Sequence, residues 1–222
     1  MKIPITFTIT SCNRIDLLEK TLNSFMLINN YEIDEFIMSD DSGDKEISNH
    51  LKTNYGDKFK IISNNPRIGL SKSLDNLFSN AKNEFIFHCE DDWMFDSNPN
   101  LISDSLSILT ENQDINQVLV RHIHNNPHKP IGEKQHTTDS IEYWIMGQEF
   151  KSTPTHTWNG YSWNPGLRRK SDYITMFPNG LSKIGDEYDC ANHTRKFNYK
   201  SAVLSNTSCY HLGTQRTKNF LI

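Results

Sequence analysis

The chain has 222 residues, 23 Lys and Arg against 27 Asp and Glu, and a formal net charge of −4. That balance excludes a dedicated nucleic-acid binder, whose affinity rests on a basic face, and 36 % hydrophobic residues exclude a disordered chain. No apolar run approaches the roughly 18 residues of a membrane span, so no transmembrane segment is expected.

The N-terminal stretch MKIPITFTIT alternates apolar and polar side chains where a signal peptide would carry an unbroken apolar core, so the expected location is cytoplasmic. Cys12, Cys89, Cys190 and Cys209 form no C-x-x-C pair and are expected as free thiols. The alternation over Ile3 to Thr10 predicts a strand, and Leu18, Leu22 and Phe25 predict a helix over Ile15 to Ile28. Phe36 to Ser39 follows as a strand, Lys45 to Asn54 as a helix and Phe59 to Ser63 as a strand. Leu70, Leu74, Leu77 and Phe78 mark a third helical face, and Phe85 to Cys89 reads as a buried strand. Strands alternating with helices imply a parallel sheet with its crossovers on both faces. Beyond Thr110 the pattern loosens. Asn125 to Ser140, with Pro127, Pro130 and Gly132, reads as an irregular loop, and helices return around Ser171 to Phe177 and Lys183 to Lys196.

Ligands on parallel sheets bind outside the carboxyl ends of the strands, so the residues after each strand are the place to look for chemistry. After the fourth strand stand Glu90, Asp91 and Asp92. Three adjacent carboxylates call for a neutralising cation, and a hard divalent ion, Mn2+ or Mg2+, shared with substrate phosphates is one answer. A solvated acidic turn is the other. Asp40 and Asp41 follow the second strand, where a carboxylate can accept from a ribose or base, although Asp-Ser-Gly is equally good turn chemistry. Thr10, Cys12 and Arg14 follow the first strand and open a helix, a place that favours anions, while Asn13 can simply cap it. Asn64 to Gly69 brings Arg67 to the same rim. Four strand ends thus converge on one polar crevice.

The succession ITSCNR, MSDDSG, NNPRIGLSKSLDNLF and FHCEDDW resembles the nucleotide-sugar half of GT-A fold glycosyltransferases, especially the inverting family 2. WNPGLRRKSDY, IGDEYDCANHTRK and CYHLGTQRT resemble that family's acceptor-side loop, catalytic-base helix and late metal-binding histidine. The resemblance implies an α/β fold, a three-layer α/β/α sandwich on a mostly parallel sheet. It implies one domain over residues 1–222, with 1–110 binding the nucleotide sugar and 111–222 the acceptor. It implies transfer of a sugar from a nucleotide-sugar donor, UDP-linked by preference, to the hydroxyl of a glycan or other acceptor.

By the same resemblance, Glu90, Asp91 and Asp92 form the "DXD" motif, with Glu90 nearer the ribose and Asp92 the direct metal ligand beside His211. Asp41 or Asp40 would contact base or ribose. Thr10, Cys12, Arg14, Arg67 and Lys72 would line the donor site, and Arg216 would meet phosphate. Glu187 is the positional match for the general base, with Asp186 its competitor. Where many members carry Ala-Arg-Asn after the glycine, this chain has Ser73-Leu74-Asp75, so that arginine's contact falls to Arg67 or Lys72 or is missing.

Other features have plainer readings. His122, His124, His128 and His136 suit a polar loop better than a metal cluster, lacking carboxylates beside them. Trp158, Tyr161 and Trp163 suit sugar stacking and core packing equally. Arg168, Arg169 and Lys170 read as a solvated basic turn. Two rival functions are a non-catalytic nucleotide- or glycan-binding protein on the same fold and a nucleotidyltransferase. The latter calls for a glycine-rich loop after the first strand, which ITSCNR does not provide.

Overall fold

A computed structural model describes residues 2–123, 130–146, 151–153, 156–157, 160–206 and 208–213. A nine-stranded sheet runs through it. Strands β1 (Ile5–Ser11), β2 (Glu35–Asp40), β3 (Lys60–Ser63) and β4 (Phe85–Glu90) pair in parallel, with β1 between β2 and β4 and β3 outside β2. Strand β5 (Trp93–Phe95) leaves this sheet. On the other side of β4 come an antiparallel strand and then β6 (Ile115–Leu119). Beyond it lie one further strand, then β8 (Glu142–Met146) and, at the edge, β7 (Pro130–His136). Short strands β9 (Lys151–Thr153) and β10 (His156–Thr157) form a separate pair, and β11 (Gly166–Arg169) is the antiparallel neighbour of both β4 and β6. Strand β12 (Lys200–Leu204) is parallel to β6 and antiparallel to β8, and β13 (Cys209–His211) pairs with β5.

Period-two alternation divides the core between two faces. Ile5, Phe7, Ile9, Met38 and Phe87 point to one side, where α1 (Ile15–Ile28), α2 (Lys45–Tyr55) and a later helix, α4 (Leu101–Glu111), bury Leu18, Leu22, Phe25, Leu51, Leu106 and Leu109. Ile37 and Ile86 point to the other, against Leu74, Leu77 and Phe78 of α3 (Leu70–Asn80). Helices α5 (Lys170–Met176) and α6 (Glu187–Thr194) cover the same face with Tyr173, Met176, Cys190 and Ala191. Every residue of β1 is buried, as a strand covered on both faces must be. The expected three-layer α/β/α sandwich is the observed one. Cys89, Cys190 and Cys209 are buried free thiols and Cys12 is a half-buried one.

Two expectations change, and one open alternative is settled. The irregular loop expected over residues 125–140 contains the strand β7; Pro130 opens it at the sheet edge, the place where a strand tolerates proline. Residues 125–129 lie outside those described. Arg168 and Arg169 are not solvated, being 4 % and 7 % exposed on β11. Arg169 donates to the carbonyls of Leu109, Gln113 and Ile115 at 2.9, 2.9 and 2.7 Å and pairs with Asp172 at 3.0 Å, closing the end of α4. Arg168 lies 5.3 Å over the Phe78 ring. Tyr161 and Trp163 are core residues, 4 % and 5 % exposed; Trp158 is outside the described residues. Of the histidines, His122 pairs with Asp96 at 2.9 Å and His136 is exposed on β7, while His124 and His128 are not described. Among the described residues no helix is long and apolar enough to cross a membrane.

Candidate active site

The carboxyl ends of β1, β2 and β4 open onto a cavity of about 150 Å³. Thr10, Cys12, Arg14, Asp41, Arg67, Glu90 and Asp91 line it, together with Ser73, which sequence reasoning did not single out as a ligand. Lys72 is exposed on α3 and Asp40 is fully buried; neither lines the cavity. Asp40 accepts from Ser42 N at 3.0 Å and from Ser48 Oγ, so it shapes the turn between β2 and α2. Asp44 caps that helix. Asp41 instead accepts Ile68 N at 2.8 Å and Gly69 N at 3.0 Å, which ties the third strand's loop to the second strand's end. Gly69 has φ +87° with nothing near its missing Cβ, so the glycine serves the left-handed backbone that starts α3 there. Asn13 makes no cap for α1; it takes the left-handed conformation, φ 57°, that turns Arg14 into the cavity.

Arg14 is the cation of the acidic triplet. Its Nη1 donates to Asp92 Oδ2 at 2.6 Å and its Nη2 donates to Asp91 Oδ1. Asp91 also accepts Cys12 N at 3.1 Å. Burial nevertheless pushes the Asp91 carboxyl up to about 6 against the pull of Arg14. Glu90, whose one hydrogen-bond donor among the described residues is Trp93 Nε1 at 3.5 Å, is pushed up to about 8 by burial and by the charges of Asp92, Glu187 and Asp91. For Asp92 burial is outweighed by His211 and Arg14, which hold it below the usual carboxylate range.

Register brings the histidine there. Strand β13 pairs with β5 so that His211 opposes Trp93, and His211 Nε2 lies 3.0 Å from Asp92 Oδ2. A Cβ on Gly213 would stand 2.3 Å from that same oxygen, so only glycine lets the chain pass so close. Asp92 Oδ1 is buried without a hydrogen-bond partner. Among the described residues no three His, Cys, Asp or Glu side chains are grouped to cage an ion; Asp92 and His211 offer two donors and leave the rest to a substrate. Arg216 is outside the described residues.

Across the sheet, the first turn of α6 supplies the two competing acids, and the structure gives them different work. Asp186 is exposed and forms a capping box with Asp189, accepting its N–H at 2.9 Å. Glu187 is half-buried; its Oε1 accepts Ser162 Oγ–H at 2.6 Å and Trp163 N–H at 2.7 Å. Its Oε2 takes no hydrogen bond from a described residue. Ser162 carries no sequence signal, since serine is common in turns; Asn164 and Arg121, described below, follow or precede strands that the sequence pattern did not show.

The family model for glycosyl transferase family 2 matches residues 6–174. No curated protein matches the sequence. Among solved structures, S. aureus TarS (residues 1–349) is similar over 99 % of this chain and 63 % of its own, at 16 % identity and a TM-score of 0.60. The mannosyltransferase PcManGT from Pyrobaculum calidifontis, solved with GDP-Man and Mn2+, is similar over 97 % of this chain and 59 % of its own, at 12 % identity and a TM-score of 0.64. A 4-diphosphocytidyl-2C-methyl-D-erythritol synthase from Anaerococcus prevotii matches 99 % of this chain at 17 % identity and a TM-score of 0.58. Identities this low show the fold, and the chain spans less than two thirds of the length of TarS 1–349 or of PcManGT. The fold is that of the GT-A glycosyltransferases, and with the family model matched over most of its length the chain belongs to glycosyl transferase family 2.

Proposed function

We propose that the chain transfers a sugar from a nucleotide-sugar donor, UDP-linked, to an acceptor hydroxyl with inversion at the anomeric carbon. One observation carries this reading: a strand-end cavity lined by Arg14, Asp41, Arg67, Glu90 and Asp91 lies within electrostatic reach of a carboxylate, Glu187, that has one oxygen pinned and the other without a hydrogen bond from a described residue. TarS, solved with UDP-GlcNAc, supports a UDP-linked donor for this chain. Residues 1–110 then serve the donor and 111–222 the acceptor.

In this mechanism Arg14 and Arg67 face the diphosphate, and Asp41 and Glu90 face the nucleoside. The acceptor oxygen attacks the anomeric carbon as its proton passes to Glu187 Oε2, and the bond to the diphosphate breaks on the opposite face of the sugar. Asp186 is the weaker candidate because its carboxylate is spent on the helix cap. The orphaned Asp92 Oδ1 and the imidazole of His211 fit a divalent ion shared with the donor, and the nitrogen ligand suits Mn2+ better than Mg2+. Such an ion supplies Lewis-acid stabilisation of the charge on the leaving diphosphate.

Thermal unfolding with UDP, GDP, CDP and dTDP, each with and without Mn2+, tests the donor assignment. A nucleotide at a hundred times its dissociation constant adds about 2.7 kcal/mol. UDP with Mn2+ is expected to give the largest shift; a larger shift with another nucleotide overturns the UDP assignment, and none with any nucleotide overturns the donor site itself.

A further inference from the structure

The pinning of Glu187 has a source farther back. Ser162 has one hydroxyl hydrogen, which it gives to Glu187 Oε1, so its own oxygen is left to accept. Both acceptances come from Asn164: the backbone N–H at 3.2 Å and the side-chain Nδ2. The other end of that amide, Oδ1, accepts Arg121 Nη1 at 3.1 Å. A guanidinium can only donate and a carboxylate can only accept, so every hydrogen between Arg121 and Glu187 points the same way. Like-directed bonds running from a cation to an anion polarise one another and strengthen together.

The parts come from three elements. Arg121 follows β6, where its guanidinium carbon lies 5.3 Å over the Trp93 ring. Ser162 to Asn164 precede β11, and Arg168 Nη2 grips the Asn164 carbonyl at 3.3 Å. Glu187 opens α6.

We propose that Asn164 is a positioning residue that relays the charge of Arg121 through Ser162 to Oε1 of Glu187, which holds the carboxylate in place and leaves Oε2 for the acceptor. This inference rests on the reading of Glu187 as general base. The charged groups that bear on Glu187 are Arg121, Arg168 and Glu90, with the buried Cys190 thiol and Tyr161 hydroxyl beside it. Removing Asn164 interrupts the route from one of them and leaves the others in place.

The test is a 13C titration of the Glu187 carboxyl in the full chain labelled at glutamate, its resonance assigned by its loss in Glu187→Gln. Asn164→Ala is expected to move the midpoint upward by about one pH unit, and Arg121→Met to move it in the same direction, while Arg121→Lys, which keeps charge and donor, stays near wild type. The double variant Arg121→Met/Asn164→Ala is expected to move it little further than the larger single shift, because both break one route. Asn164→Ser serves the same purpose if the alanine variant does not fold. A midpoint unmoved in Asn164→Ala or Asn164→Ser, or strictly additive shifts in the double variant, overturns the relay. Sugar transfer by Glu187→Gln would instead overturn the base assignment and leave the titration result standing.

Discussion

Glu90 and Asp91 are costly residues in the folded chain. Folding raises Glu90 from 4.5 to about 8, chiefly by burial, and Asp91 from 3.8 to about 6. Between those values the folded chain holds protons that the unfolded chain has released, so their contribution is fully present below the unfolded values and is lost as pH rises toward 8. Thermal unfolding of the metal-free protein is therefore expected to fall from pH 5 to pH 8, and Glu90→Gln, a neutral isostere, to flatten that fall. An equally steep decline in the variant would show that Glu90 is not the group responsible. Asp186, the N-cap of α6, allows a second comparison. Loss of its cap in Asp186→Ala is expected to cost about 1 kcal/mol in urea denaturation while transfer persists; abolished transfer in a folded variant would move the base to Asp186.

Single residues also join elements. Asp75 on α3 accepts Tyr173 Oη–H at 2.6 Å, Leu181 N at 2.8 Å and Ser182 N at 3.1 Å, fastening the segment that leads into α6 to α3. At the place of the arginine in the family's Ala-Arg-Asn stands Leu74, fully buried in the core, and of Arg67 and Lys72 only Arg67 lines the cavity. Arg169 does comparable work between β11 and α4. Arg169→Met is expected to cost about 3 kcal/mol in urea denaturation, since it strands buried carbonyls and leaves Asp172 without its partner; a loss below about 1 kcal/mol would contradict the role given to those bonds. The first four strands and three helices were legible because their apolar spacing is clean and each is bounded by turn residues. Strand β6 was not: Asn116 and Gln117 interrupt it with polar side chains that are nonetheless buried. Gln117 Nε2 donates to Gly160 O at 3.2 Å and to Ser201 Oγ at 3.0 Å, partners that the fold alone brings near. Strand β11 was hidden for a similar reason, since buried arginines read as solvated charge until the carbonyls they cap are in place. With β6 and β11 unseen, the rule that chemistry follows strand ends had no purchase on Arg121 or Asn164.

At the scale of the whole molecule, the sheet order sets the chemistry. Parallel pairing of β1, β2 and β4 gathers the residues that line the cavity, the β5–β13 pair delivers His211 to Asp92, and β11 carries the loop that holds Glu187. Asp92→Asn is expected to lose the Mn2+-dependent part of nucleotide stabilisation in thermal unfolding while keeping the metal-free part; an unchanged Mn2+ increment would remove Asp92 from the ion. The most direct measurement is mass spectrometry of donor turnover across a panel of nucleotide sugars, comparing wild type with Glu187→Gln. Wild-type chain is expected to release sugar from a UDP-linked donor, and Glu187→Gln to bind that nucleotide yet release at least a hundredfold less, about the contribution of a general base. Turnover by Glu187→Gln at the wild-type rate, or no donor consumed by wild type, would contradict the account.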